Sequence, residues 1–260
     1  MKHQVKERQL LLRDELVRAA LLGLKKATWR PIRPQPPPPY TQYVACPGRD
    51  GPGTARLFRG PSYPCLDGGV VRCPHGVPGD RLYVREAWNL RLREEWEDLW
   101  KEPIPKKCPD GYEIIYRADQ EVEYVNGPWR PSIHMPRWAS RILFRIEVIE
   151  VRRLQTITLE EIKLDGIRVM GAREKGRFRP MIRLTGAHPP TAYVGRRLPE
   201  WTEDDLFRAH FASGWDGSYY NEGYAWNTNP WCWHIKLKKL RGRKTDFPKQ
   251  KVWGFGSREE

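Results

Sequence analysis

A run of proline restricts this chain more than any other feature. Residues 31–39 (PIRPQPPPP) hold six prolines, and each lacks the amide hydrogen that a helix or an interior strand requires, so the backbone there is expected to be extended and polyproline-like. Any helix that starts near the N-terminus must stop before Pro31. Residues 7–22 predict such a helix, with Leu10, Val17, Leu21 and Leu24 near one face and Gly23 as its C-terminal stop. Beyond the prolines, residues 46–79 stay rich in Gly and Pro without periodicity, so 31–79 reads as one long loop.

Strand patterns follow at Arg81–Ala87, Glu113–Arg117, Arg141–Val151 and Trp231–Leu240. The third is the clearest. Ile142, Phe144, Ile146 and Val148 alternate onto one pleat face, while Leu143, Ile149 and Val151 add apolar surface to the other, as expected inside a closed barrel or a sandwich. Thr158 and Thr202 stand three residues before Glu161 and Asp205, a capping-box spacing that predicts two short helices. Between them, residues 167–199 lack periodicity and predict an inserted basic loop. The predicted organisation is one α+β domain over residues 1–240, followed by a basic C-terminal arm at 241–260.

Charge sorts the function classes. The 260 residues carry 46 Lys+Arg against 32 Asp+Glu, a formal net charge of +14, and the excess is clustered. Residues 1–33 hold 9 bases and 3 acids, 168–199 hold 8 and 1, and 236–260 hold 9 and 3, whereas 200–235 hold 1 base and 6 acids. Such segments suit a polyanion, because each neutralised phosphate releases a counterion, though they serve equally as solubilising surface. With only 39% of residues hydrophobic, 12 Trp, 11 Tyr and 7 Phe must supply much of the core. No stretch reaches the roughly 20 apolar residues of a membrane span, and the N-terminus is too charged for a secretory signal. Five cysteines, an odd number, argue against a disulfide scaffold. The expectation is a cytoplasmic protein.

Residues 23–30 have the form G-x-K-x-x-T-x-R, which sets Lys25 and Thr28 three residues apart beyond a helix end with Arg30 close by. The bland reading is a basic helix terminus favoured by the helix dipole. Several ordered blocks accompany it: ALLGLKKATWRPIRPQP (20–36), CPHGVPGDRLYVREAW (73–88), YRAD (116–119), WRPSIHMPRWASRI (129–142), LQTITLEEIKLDGI (154–167) and NPWCWHIKLKKL (229–240). In these the chain resembles the ASCH domains of the PUA-like superfold, in particular the branch met in phages and prophages. The resemblance covers most of residues 16–240, and 89–112, 168–200 and 241–260 carry none of its signatures. It implies a small β-barrel with flanking helices, here with long basic insertions, whose cleft binds nucleic acid or a modified nucleobase, RNA ahead of DNA, in the cytoplasm of a bacterial host cell. No membrane partner and no cofactor are expected.

One branch of that family hydrolyses the amide of N4-acetylcytidine with a Lys, a Thr and a carboxylate. Carried over, the resemblance gives Lys25, Thr28 and Asp165, the last replacing the family's Glu with a side chain one methylene shorter. Amide hydrolysis requires a nucleophile, a base and an orienting group, and a desolvated Lys can accept a proton. Binding without turnover and amidohydrolase activity on N4-acylated cytidine are therefore both open. In the block 129–138, Trp129, Arg130 and Arg137 are candidates to face bases and phosphates, with Trp138 as core. Gly79-Asp80 reads as a structural turn, and Glu86 as a surface pair with Arg85 ahead of a group facing the cleft. Cys46, Cys65, Cys73 and His75 have the ligand types of a zinc site, but their spacing lacks the paired C-x2-C pattern, and no metal is expected. Cys108, Cys232, His188, His210 and His234 read as isolated structural residues.

Overall fold

The computed structural model describes residues 4–37, 42–45, 47–58, 69–92, 103–119, 129–167, 171–174, 177–180 and 202–240. In chain order the strands and helices are Glu7–Leu11 (β1), Asp14–Leu21 (α1), Ala27–Pro31 (β2), Gln42–Val44 (β3), Pro47–Asp50 (α2), Thr54–Phe58 (β4), Val70–Arg72 (β5), Arg81–Arg85 (β6), Trp88–Leu92 (β7), Tyr112–Tyr116 (β8), Leu143–Arg153 (β9), Leu159–Leu164 (α3), Gly171–Glu174 (β10), Arg177–Pro180 (β11), Glu203–Tyr219 (α4) and Trp231–Lys239 (β12).

The class is α+β, as expected. Five strands build the main sheet in the order β1-β6-β9-β12-β2, and β3-β4-β5, β7-β8 and β10-β11 form three smaller sheets. Among the described residues the main sheet does not close into the expected barrel, because β1 and β2 remain its two edges. They approach through a side chain rather than a backbone ladder: Arg30 on β2 donates to the Leu11 carbonyl at the end of β1, 2.9 Å away.

One face of the main sheet buries Leu10, Leu82, Val84, Phe144, Ile146, Trp233 and Ile235 against Val17 and Ala20 of α1. The opposite face, at the β2-β12 edge, packs Trp29 and Cys232 against Ile162 of α3 and Phe207, Phe211 and Trp215 of α4. A third cluster gathers Trp88, Leu90, Tyr116, Met135 and Ala139 around β7-β8. Apolar residues on both faces of β9 have a local cause. The register of β9 against β12 shifts between Lys236 and Leu237, and such a bulge turns the following residues over. Phe144 and Ile146 before it, and Ile149 and Val151 after it, thus face the same core, while Val148 is left 40% exposed.

Three expected elements are corrected. Residues 7–11 form a strand, not the first turns of a helix, because parallel pairing with β6 from Glu7↔Arg81 to Leu11↔Arg85 overrides helical periodicity. Only Asp14–Leu21 is helical, and Gly23 does end it. Residues 31–79 are not one loop, since β3, α2, β4 and β5 lie within them and Tyr43, Ala55 and Cys73 join the main core. Part of the basic insertion is an antiparallel hairpin, Gly171–Glu174 with Arg177–Pro180. The remainder of 168–199, like the arm at 241–260, Cys46, Cys65 and His188, lies outside the described residues. Both capping boxes form, and the second starts a helix of 17 residues, longer than expected. No helix among the described residues is long and apolar enough to cross a membrane.

Candidate functional site

Two glycines bring the candidate site together. After α1, Gly23 takes a φ of +75°, and its amide and that of Leu24 donate to the carbonyls of Ala20 and Ala19. This paired closure of a helix end depends on a residue that tolerates the left-handed region. It turns Lys25 inward, where the residue is 1% exposed. After α3, Gly166 takes a φ of +93°, and a Cβ there would lie 2.7 Å from Ala19 Cβ and 3.3 Å from Lys25 Cβ. Glycine is therefore what lets the end of α3 press against α1. A hydrogen bond of 2.6 Å from the Lys26 amide to the Leu164 carbonyl fixes the contact.

Asp165, the C-cap of α3, meets Lys25 across this contact. The Lys25 ammonium donates to Asp165 Oδ1 at 2.9 Å, to the Asp165 carbonyl at 2.9 Å and to the Ala27 carbonyl at 3.0 Å. All three of its protons thus have acceptors. The shorter Asp reaches the lysine. Burial pushes the Lys25 amine below its usual range and the Asp165 carboxyl above its own, and their mutual attraction opposes both shifts.

Asp165 also lines a cavity of about 300 Å³ that opens between the two edges of the main sheet. Thr28, Trp29 and Arg30 of β2 form one wall, Leu11 at the end of β1 another, and Phe211, Trp215 and Tyr219 of α4 a third, with Ser132 also at its lining. Arg30 is held at two points, by the Tyr219 hydroxyl at 2.7 Å and the Leu11 carbonyl at 2.9 Å. Two buried N–H donors from lining residues, Arg30 Nε and Trp29 Nε1, have no acceptor among the described residues. Leaving such donors unmade is costly, so a site of this kind favours a ligand that brings acceptors.

Of the residues expected from sequence, Thr28, Arg30 and Asp165 meet at the cavity, with Lys25 directly behind Asp165. The block 129–138 divides. Arg130 is 8% exposed and lies over the Trp88 ring in the third cluster, and Trp129 is half-buried with its indole N–H buried and without an acceptor among the described residues. Arg137 is exposed, its Nε donating to Glu7 at 2.8 Å. Trp138 packs edge-on against Trp88, in accord with a core role. What this block brings to the cavity is Ser132.

Glu86 is corrected. It is not a surface partner of Arg85 but fully buried, accepting from Arg141 Nε at 2.9 Å and Nη2 at 2.7 Å, while the same guanidinium also holds Asp119. Asp80 does shape the turn, accepting from the Lys6 and Val77 amides.

Sequence reasoning missed the surroundings of His234. Its ring stacks on Trp29, centroids 4.5 Å apart, and Nδ1 lies 2.9 Å from Glu150 and 3.9 Å from Glu161. The signal for this was register, since Trp29, His234 and Glu150 are paired across three adjacent strands. The ligand atoms of Glu150, Glu161 and His234 fall within 4.8 Å of one another, but Lys236 and Arg152 already pair with the two carboxylates. Cys73 is buried, and burial pushes its thiol up to about 11.

No family model, no curated protein and no solved structure matches the chain.

Proposed function

We propose that this protein binds nucleic acid or a modified nucleobase in an ASCH-type cleft, as a phage or prophage protein acting in the cytoplasm of a bacterial host. One observation carries the reading. A cavity of about 300 Å³ has aromatic walls, one carboxylate, and two buried donors without acceptors, all on residues that line it. The size is at the lower end for small-ligand sites. Aromatic faces stack on a base, the indole and guanidinium N–H groups donate to its carbonyl or ring nitrogen, and Asp165 accepts from an exocyclic amine. In this reading the Lys25 ammonium orients Asp165 rather than touching the ligand.

The proposal is tested by calorimetric titration of the protein with cytidine and N4-acetylcytidine. Binding of at least one, weakened tenfold or more in Arg30→Ala and Asp165→Asn, is the expected result. Failure of both nucleosides to bind at millimolar concentration would remove the reading.

A second reading, hydrolysis of N4-acylated cytidine, is favoured by Thr28 and Asp165 at the lining of the cavity, with Lys25 hydrogen-bonded behind Asp165. Burial draws the amine and the carboxyl toward their neutral forms, which eases proton exchange between them. Water would add its oxygen to the acyl carbon as the C–N4 bond breaks, and the released N4 amine would gain a proton. Mass spectrometry of N4-acetylcytidine incubated with the protein beside Lys25→Ala separates the readings. Release of acetate that the variant abolishes makes the protein an amidohydrolase, and an intact substrate leaves it a binder.

A further inference from the structure

The outer face of the main sheet, away from α1 and beyond the area packed by α3 and α4, carries an unusual row. Strand register sets Glu7, Arg81, Arg145 and Lys238 side by side across β1, β6, β9 and β12. Three of the four are cations on neighbouring strands, and all four residues are exposed. Like charges directly opposite destabilise a sheet, and the compensation here is weak. Arg81 lies 3.6 Å from Glu7, a carboxylate that also accepts from Arg137 at 2.8 Å, and Arg145 lies 3.5 Å from Glu147, contacts at the surface that contribute little.

From this row the face continues along β6. Tyr83, two residues on from Arg81, has the Arg137 guanidinium 5.2 Å and the Arg85 guanidinium 5.7 Å from its ring centre. Arg85 in turn donates to the Ile133 carbonyl at 2.8 Å and is paired in register with Leu11. Leu11 and Ser132, the neighbour of Ile133, both line the cavity. A strip of cations around one aromatic ring thus runs for about 13 Å along β6 and ends beside residues that line the cavity.

We infer that this strip, Arg81, Arg145 and Lys238 leading through Tyr83, Arg85 and Arg137, holds the phosphodiester backbone of a single-stranded nucleic acid whose base enters the cavity. Charge complementarity is the argument. Phosphates along the strip relieve the repulsion within the cationic row, and an aromatic ring flanked by guanidinium groups is a stacking platform for a neighbouring base. A duplex would satisfy the charges but keeps its bases stacked away from the cavity. The inference rests on the nucleobase reading of the cavity and narrows it: the ligand is a polymer, not a free nucleoside.

The test is fluorescence anisotropy with a labelled single-stranded oligocytidylate of about 12 nucleotides, within the range of one binding groove. Affinity is measured across a salt series for the native chain and for the combined variant Arg81→Gln, Arg145→Gln, Lys238→Gln. The native chain should bind with a steep salt dependence. The variant should bind at least tenfold more weakly at low salt, with the slope of log affinity against log salt reduced by about 2, since each phosphate contact on a single strand contributes roughly 0.7. Unchanged affinity and slope in the variant overturn the strip, as does a duplex of the same length binding as well as the single strand. Arg145→Gln alone, expected to lower the slope by about 0.7, replaces the combined variant if thermal melting shows that the latter is unfolded. Nucleoside titration of the same variant keeps the two claims apart. Retained nucleoside binding with lost oligonucleotide affinity supports both, whereas oligonucleotide binding through the strip without any nucleoside binding leaves the strip standing and removes the cavity reading.

Discussion

Gly166 shows how much of the site depends on one residue without a side chain. Its φ of +93° lies in the region that L residues avoid, and any Cβ would drive into Ala19 and Lys25. Gly166→Ala therefore has to push α3 from α1 or distort the backbone, at a cost of roughly 2 kcal/mol or more. The displacement falls on the bond between Lys25 and Asp165. Denaturant unfolding should show the loss, and nucleoside affinity should fall with it, while a residue change at Gly223, which has the same backbone sign but open space around it, should cost less and leave affinity intact. Equal losses at the two positions would mean that backbone conformation alone, not the close approach of α1, makes Gly166 necessary. The sequence writes Lys25, Thr28 and Arg30 as a spaced motif, but it does not write the contact that makes Asp165 their neighbour. That contact needs a tertiary approach between segments 140 residues apart.

At the scale of elements, α3 is the lever that presents Asp165. It is short, Leu159–Leu164, and its start is fixed by a reciprocal cap in which Thr158 accepts from the Glu161 amide and Glu161 accepts from the Thr158 amide. Thr158→Ala removes one half of this arrangement and should destabilise the protein by about 1 kcal/mol. Because the same helix ends at Asp165, the variant should also bind nucleoside more weakly than its stability loss alone explains, which calorimetry at a temperature well below melting would detect. This helix was legible in the sequence because a capping box is a local device. So were β6, β8, β9 and β12, whose apolar, β-branched and aromatic residues run over five or more positions. The strands β1 and β2 were not, although they flank the cavity. β1 is held by parallel pairing with β6, a long-range contact that leaves no pattern in seven-residue windows, and β2 sits on the edge of the proline run that reads as loop. The strands inside 31–79 were hidden by the same Gly and Pro content, since their ladders are only three to five residues long.

For the whole molecule, burial of titratable groups sets how the fold responds to acid. His75, His210 and His234 are each shifted below the ordinary imidazole value, burial being the largest cause in every case. His75 is lowered to about 4, with Arg30, Arg8 and Arg33 adding to the effect of burial. An unfolded chain takes up a proton on such a group as pH falls through about 6.5, whereas the folded chain resists until about 4. Folding stability from this group is therefore complete above 6.5 and is lost progressively as pH falls toward 4. The carboxyls of Glu86 and Asp165 act in the opposite sense. Burial raises them, so their contribution is present at low pH and is lost as pH rises through the carboxylate range. Comparison with one variant isolates the histidine. Between pH 7 and pH 5 the native protein should lose roughly 1 to 2 kcal/mol more stability than His75→Gln, read as the difference in urea unfolding at the two pH values. Identical losses in the two proteins would show that His75 keeps its ordinary affinity for protons in the folded chain, and that the arginines beside it, Arg30 among them, do not impose on this part of the molecule the positive field that a ligand with phosphates would meet.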